Sequence, residues 1–182
     1  MKNIQQIVES DEFVHRCSTY AQIKELMSLD EGESNKEVLD AIKSSDYESD
    51  PNVFHKSINK SKHHLMLSPY TAKEWGKMKL FKLRGYDIGF ALKKKDGKFQ
   101  ELVGVFNNEK SIKGIGTDLV KSAITKGAVY LDHFDGSFLT KFYQDLGFEE
   151  YDREPYDPQY DEGGEFAKKH GKLDVVWRKL KK

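Results

Sequence analysis

Gly114 and Gly116 sit just ahead of an apolar-periodic stretch in SIKGIGTDLVKSAITKGA (residues 111–128). Glycines before a helix let backbone N–H groups approach a phosphate closely, and the helix N-terminus adds a partial positive charge. Anion binding is the chemistry this spacing suggests, although a glycine pair before a helix is also what an ordinary turn looks like. It is not a dinucleotide fingerprint, because Leu119 stands where a third glycine is needed, and Ser111 and Lys113 do not build a Walker A loop. A second grouping, YLDHFDG (130–136), offers Asp132, His133 and Asp135 at the end of a short apolar run, where sheets with helical crossovers tend to place chemistry. Glu101 is a further candidate general base. Asp132 and His133 are adjacent on a strand and point to opposite faces, so one of them at most faces a cleft. Asp135 also reads as an N-cap for the next helix, and His133 as a side chain that satisfies a neighbour. The histidines at 15, 55, 63, 64 and 170 match no ligand spacing and Cys17 is isolated, so no metal site is expected.

These residues need elements to hold them. Thr19 with Gln22, and Ser34 with Glu37, have capping-box spacing, and apolar stripes follow at Ile23, Leu26 and Met27 and at Val38, Leu39 and Ile42. Residues 44–62 are polar and turn-rich and read as a loose connection, which makes residues 1–60 an N-terminal helical appendage to a domain spanning 61–182. His64–Leu67 is short and apolar, and Thr71 with Glu74 opens a helix to about Met78. Strands are expected at Leu80–Leu83, Tyr86–Leu92 and Phe99–Phe106, the last two joined by a hairpin at Asp96-Gly97. The central helix carries Leu119, Val120, Ala123 and Ile124 and stops at Gly127. A buried strand at 128–131, a helix from Ser137 to Leu146 stopped by Gly147, a strand from Phe148 and a last strand at Leu173–Leu180 complete the order. Trp75 and Trp177 read as core anchors.

The helix ending in FYQDLGF (142–148), downstream of the glycine loop, completes a pattern. Strand, GxG, helix, strand, helix with FYxxLGF, strand resembles the GNAT superfamily of acyl-CoA-dependent N-acyltransferases over roughly residues 62–180, within the element order β, α, β, β, β, α, β, α, β, β. The phrases VFNN, YLDHFDG and FEEYDREPYDPQYDEGGEF resemble a divergent GNAT-like group of bacteriophages. The resemblance implies an α+β fold with a mixed central sheet flanked by helices. It implies acetyl-CoA as co-substrate, with its pyrophosphate against main-chain N–H groups of Lys113, Gly114, Ile115, Gly116 and Thr117. Ser111 stands where the family usually has Gln or Arg, and Lys110 or Lys113 is left to supply the charge. The pantetheine arm would follow the exposed edge of the fourth strand within Leu102–Phe106, at Val103 and Val105. Tyr143 matches the tyrosine that protonates the departing thiolate, with a half-buried aromatic beside Phe142 as its alternative role. Asp132 is the base expected to deprotonate an amine acceptor.

Composition agrees with a globular protein: 37% hydrophobic and 33% charged residues are too apolar for wholesale disorder. No window is long and apolar enough to span a bilayer, and the start MKNIQQIVESDEF has no apolar run of signal-peptide length, so the cytoplasm is the expected compartment, that of a host if the chain is phage-derived. The net charge of +0 hides segregation. Residues 56–98 hold 12 bases and 3 acids, and residues 127–165 hold 2 bases and 11 acids. Solvated faces that neutralise each other are the plain explanation. The acidic block also suits a cationic acceptor such as a lysine side chain, an N-terminus or a polyamine. Two rival functions remain open: a catalytically silent GNAT-like binding protein, acting on a host target if phage-derived, and a nucleic-acid-binding module using residues 56–98.

Overall fold

The computed structural model describes Ile42, residues 46–48 and residues 50–181. The helices expected at 19–27 and 34–42 therefore lie outside the described residues, apart from Ile42, as does Cys17.

Seven strands pair into one mixed sheet: β1 (Asp46–Glu48), β2 (Lys79–Lys82), β3 (Ile88–Lys95), β4 (Lys98–Asn107), β5 (Tyr130–Phe134), β6 (Phe148–Glu154) and β7 (Val175–Leu180), in the order β1-β2-β3-β4-β5-β7-β6. Every neighbouring pair is antiparallel except β4 and β5. Tight turns make the antiparallel pairs, as at Asp96-Gly97 between β3 and β4, where both residues have positive φ. The parallel pair needs a crossover, and helix α3 (Gly116–Thr125) supplies it. The fold is thus α+β, with helices on both faces of the sheet.

Alternation along the strands divides the core in two. On one face Phe81, Phe90, Leu92, Leu102 and Leu131 pack with Leu119, Val120 and Ala123 of α3 and with Tyr143 of α4 (Ser137–Asp145). On the other, Leu80, Ala91, Val103 and Phe106 pack with Phe54 and Ile58 of α1 (Pro51–Lys60) and Trp75 of α2 (Ala72–Trp75). The capping box at Thr71 and Glu74 forms as expected. The loose connection expected at 44–62 does not: Asp50 caps α1, Pro51 opens it, and Phe54 and Ile58 lie one turn apart on its inner side. Residues 51–60 therefore belong to the core that covers the sheet. The acidic loop after β6 also holds an unexpected short helix, α5 (Glu165–His170), which buries Phe166 against Phe134.

A bulge sets the shape of β4. Ala91 pairs with Val103 and Gly89 with Phe106, so β4 spends one residue more than β3 between these rungs. The extra residue inverts the alternation: Val105 packs with the α3 side and Phe106 with the α1 side. Gly104 carries the kink at φ 59°, and a Cβ there would stand 2.8 Å from Cη2 of the fully buried Trp75. Gly104→Ala is expected to destabilise the protein by about 2–4 kcal/mol through left-handed strain and overpacking together, read from denaturant midpoints.

Candidate functional site

Strands β4 and β5 pair only at Glu101 with Tyr130 and Leu102 with Leu131, preceded by one hydrogen bond from Val129 N to Gln100 O at 2.8 Å. Beyond Leu102, β4 continues to Asn107 along β3, and beyond Leu131, β5 continues to Phe134 along β7. The two strands therefore part at their carboxyl ends. Their facing edges, Val103–Asn107 and Asp132–Phe134, offer backbone groups that neither strand satisfies for the other.

The crossover out of β4 starts at this gap. Asn107 binds both limbs of the connecting loop, donating from Nδ2 to Ile112 O at 2.7 Å and accepting from Glu109 N at 2.9 Å. Asn108 donates to Ser57 O and to Asp87 Oδ2, and Glu109 accepts from Asp87 N at 2.7 Å, so the loop is tied to α1 and to the turn before β3. Burial opposes ionisation of Asp87, but hydrogen bonds from Ser57 and Asn108 and the charges of Lys82 and Lys60 outweigh it and hold its pKa below the usual value. Ile112 and Ile115 are buried in the α3-side core, while Lys113 and Gly114 between them are only half-buried and Gly114 has φ 72°. Helix α3 begins at Gly116 with no side chain capping its first turn. The first N–H groups of that turn have no partner within the helix itself. A Cβ on Gly116 would lie 3.5 Å from the Phe142 ring, which stacks on the partly exposed Phe138. The five residues expected to bind an anion are thus brought to one end of the gap, whereas Ser111 and Lys110 are exposed beside it.

On the α1 face one acid stands on the last paired rungs and another at the start of the gap. Glu101 is 4% exposed, and its Oε2 lies 3.7 Å from Lys93 Nζ, which also donates to Tyr70 Oη at 3.1 Å. Asp132 lies two residues beyond Tyr130, the Glu101 partner, and so shares its face. Burial, then the neighbouring Glu101 charge, pushes the Asp132 carboxyl up to about 6, against the opposing pull of Lys93 and Lys95. A carboxylate tuned to this range is half-ionised near pH 6 and able to accept a proton at neutral pH.

His133 faces the other way. It is buried against the Tyr143 ring at 5.3 Å, its Nδ1 bonds Phe134 O at 2.7 Å, and its Nε2 accepts from Arg178 Nε at 2.8 Å. Burial, aided by the Arg178 charge, lowers its pKa and keeps the ring neutral. Both ring nitrogens are consumed, Nδ1 by the Phe134 carbonyl and Nε2 by Arg178, so His133 is a structural partner. Asp135, expected to cap the following helix, does not: Gly136 is the N-cap, and the Asp135 carboxylate instead accepts from Thr140 Oγ1 and from Arg153 Nη1. Tyr143 is buried among His133, Phe142 and Phe148, and burial, reinforced by the Asp132 charge, holds its phenol well above the usual range.

Trp177, read as a core anchor, is only half-buried. It pairs with Asp132 across β5 and β7 and so stands on the acidic face with Tyr130. Period-two alternation in LDVVWRKL places Trp177 opposite Arg178, yet gives no hint which of the two is inside; the buried one is the arginine. Among the described residues no group of three or more His, Cys, Asp or Glu side chains is arranged to hold a metal ion, and no helix is long and apolar enough to cross a membrane. No protein-family model matches the chain, and no curated protein or solved structure matches it either.

Proposed function

We propose that this protein is an acyl-CoA-dependent N-acyltransferase of the GNAT type, moving an acetyl group from acetyl-CoA to an amine. The observation that carries the reading is the parting of β4 from β5 beyond Leu102 and Leu131, with an uncapped helix N-terminus at one end of the gap and Asp132 on its acidic face. The mixed sheet flanked by helices is compatible with the architecture that the sequence resemblance implies.

Amides from Lys113 to Thr117 would take the pyrophosphate, and the free edge of β4 at Val103–Val105 would hydrogen-bond the pantetheine arm. The two valines point to opposite faces because of the bulge, so the contact would be through their backbone. Phe138 and Phe142 supply an apolar wall beside Gly116. Asp132 would accept the proton of the attacking ammonium. The neutral nitrogen then forms the new bond to the thioester carbonyl carbon, the carbon–sulfur bond breaks, and the thiolate takes a proton from the Tyr143 phenol, whose oxygen regains one as the acylated nitrogen sheds its second proton to become the neutral amide.

Titration calorimetry with acetyl-CoA tests the first step. Micromolar binding is expected in the wild type. Gly116→Val pushes a branched side chain toward Phe142 and across the first amides of α3, and should weaken binding at least tenfold with an unchanged circular dichroism spectrum. A folded variant with wild-type affinity would remove the anion loop from the assignment. Binding without turnover on any amine would favour the silent-scaffold alternative.

A further inference from the structure

Arg178 of β7 is 0% exposed, on the side of the sheet that α4 covers, and no carboxylate pairs with it among the described residues. Its Nε donates to His133 Nε2 at 2.8 Å and its Nη1 to Phe148 O at 3.1 Å, while Nη2 is buried with no hydrogen-bond partner. A full positive charge is therefore held by two neutral acceptors. The same bonds fix the state of the histidine. A guanidinium nitrogen only donates, so Nε2 must present its lone pair; a carbonyl only accepts, so Nδ1, 2.7 Å from Phe134 O, carries the ring proton. The geometry admits one neutral tautomer and has no place for a second ring proton.

Charged and titratable groups close on the ring from four elements. Strand β7 contributes Arg178. The end of β5 contributes Asp135 and β6 contributes Glu150, but Arg153, also of β6, claims both carboxylates: Nη1 bonds Asp135, and Nε and Nη2 bond Glu150 at 2.9 and 3.0 Å. Helix α4 contributes Tyr143, whose ring lies 5.3 Å from the imidazole between centroids and whose phenol is kept un-ionised by burial. Asp132, next in the chain, stands on the opposite face of the sheet. Burial, the largest influence, acts with the Arg178 charge and outweighs the Phe134 carbonyl and the two acids, so the imidazole titrates below its ordinary value.

We propose that His133 and Arg178 form an acid-sensitive latch beneath α4. A proton taken up at Nε2 turns the acceptor of the Arg178 bond into a second donor and leaves two buried cations face to face. Both nearby carboxylates are committed to Arg153, so neither steps in between. The pair separates, and the element seated on the ring through Tyr143 is α4. The same guanidinium holds Phe148 O, three residues past the end of α4, so its displacement loosens that tether as well. Because the folded-state pKa of His133 lies below the 6.5 of the unfolded chain, the latch contributes its stability in full above pH 6.5 and loses it as pH falls further. Asp132 runs the opposite way, gaining stability as pH falls through about 6. The two effects offset each other in a global midpoint, so a local readout is needed.

Hydrogen exchange followed by NMR on the full chain at pH 7 and pH 5, corrected for intrinsic rates, supplies it. Protection of the α4 amides should fall at least tenfold at pH 5, while α3 amides keep theirs. His133→Gln, whose amide oxygen accepts from Arg178 Nε and does not titrate, should hold α4 protection at both pH values. Arg178→Met serves if the glutamine variant does not fold: with the facing cation gone, the His133 pKa should rise and the pH 5 loss in α4 should shrink at least threefold. Wild-type α4 protection that is equal at the two pH values, a loss shared equally by α3, or variants that lose as much as the wild type would overturn the latch. Neither acetyl-CoA nor turnover is read, so this result and the acyl-transfer reading stand or fall separately.

Discussion

Asp132→Asn should lower turnover by roughly 10²- to 10⁴-fold while leaving the protein more stable than the wild type at neutral pH. The amide copies the shape of the carboxylate but cannot take a proton from an ammonium. In the wild type, kcat/KM should fall as pH drops through about 6, where Asp132 becomes protonated, and the variant should lack that limb. The stability effect follows from the direction of the shift. The folded-state pKa of Asp132 is raised above the unfolded value of 3.8, so the native state is favoured by this group at pH values below that figure, and the benefit is lost as pH rises through about 6. Above pH 6 the ionised carboxylate sits buried beside Glu101 and opposes folding. The asparagine variant is relieved of that cost, so its thermal midpoint should exceed that of the wild type at pH 8, and the gap should close toward pH 4. Activity lost while stability is gained would mark Asp132 as a group kept for chemistry. A variant with undiminished turnover would transfer the role of base to Glu101 or to water.

Tyr143→Phe is the second large effect. The substitution removes only the hydroxyl and keeps the ring among His133, Phe142 and Phe148, so acetyl-CoA affinity and fold should persist. Turnover should fall by roughly 10²- to 10⁴-fold, the usual worth of a positioned acid. A phenol of ordinary acidity at Tyr143 would give a basic limb in the pH profile. The structure changes that expectation, because burial lifts the phenol well above its ordinary value and keeps it protonated over the whole working range. The wild-type profile should therefore show no limb from this group. Aliphatic diamines, a lysine-rich peptide and an aminoglycoside serve as acceptors, with thiol release as the readout. Full turnover in the phenylalanine variant would strike Tyr143 from the mechanism.

Much of the fold was legible in the chain because its signals are local. A capping box needs only Thr71 and Glu74, three residues apart, and forms in place. The Asp96-Gly97 pair fixes a two-residue turn, and with it the β3–β4 register beside the turn. Apolar periodicity gave the faces of α3 and α4, and strand alternation showed that Asp132 and His133 cannot share a cleft. Two further local signals are present in the chain. Asp50-Pro51 followed by Phe54 and Ile58 is a cap and a one-turn apolar stripe inside a polar segment, and Gly104 is an isolated glycine within a strand pattern, a sign of a bulge.

The rest depended on residues distant in sequence. Alternation separates Asp132 from His133, but which of them meets Glu101 and which meets Arg178 depends on how β5 docks between β4 and β7, with partners 31 and 45 positions away in the chain. The raised pKa of Asp132 arises only when that docking buries it beside a second acid. No spacing in the chain reports that β4 and β5 separate after two rungs, because the gap is set by the bulge at Gly104, the loop that Asn107 ties down, and the packing of Trp75 against the kink. The ring contacts of Lys95 likewise draw on strands β3, β5, β6 and β7, since Lys95, Tyr130, Tyr151 and Trp177 span more than eighty positions of chain. Local spacing determined the elements, while long-range pairing and burial decided which faces meet, and the charges of the candidate site follow from that pairing.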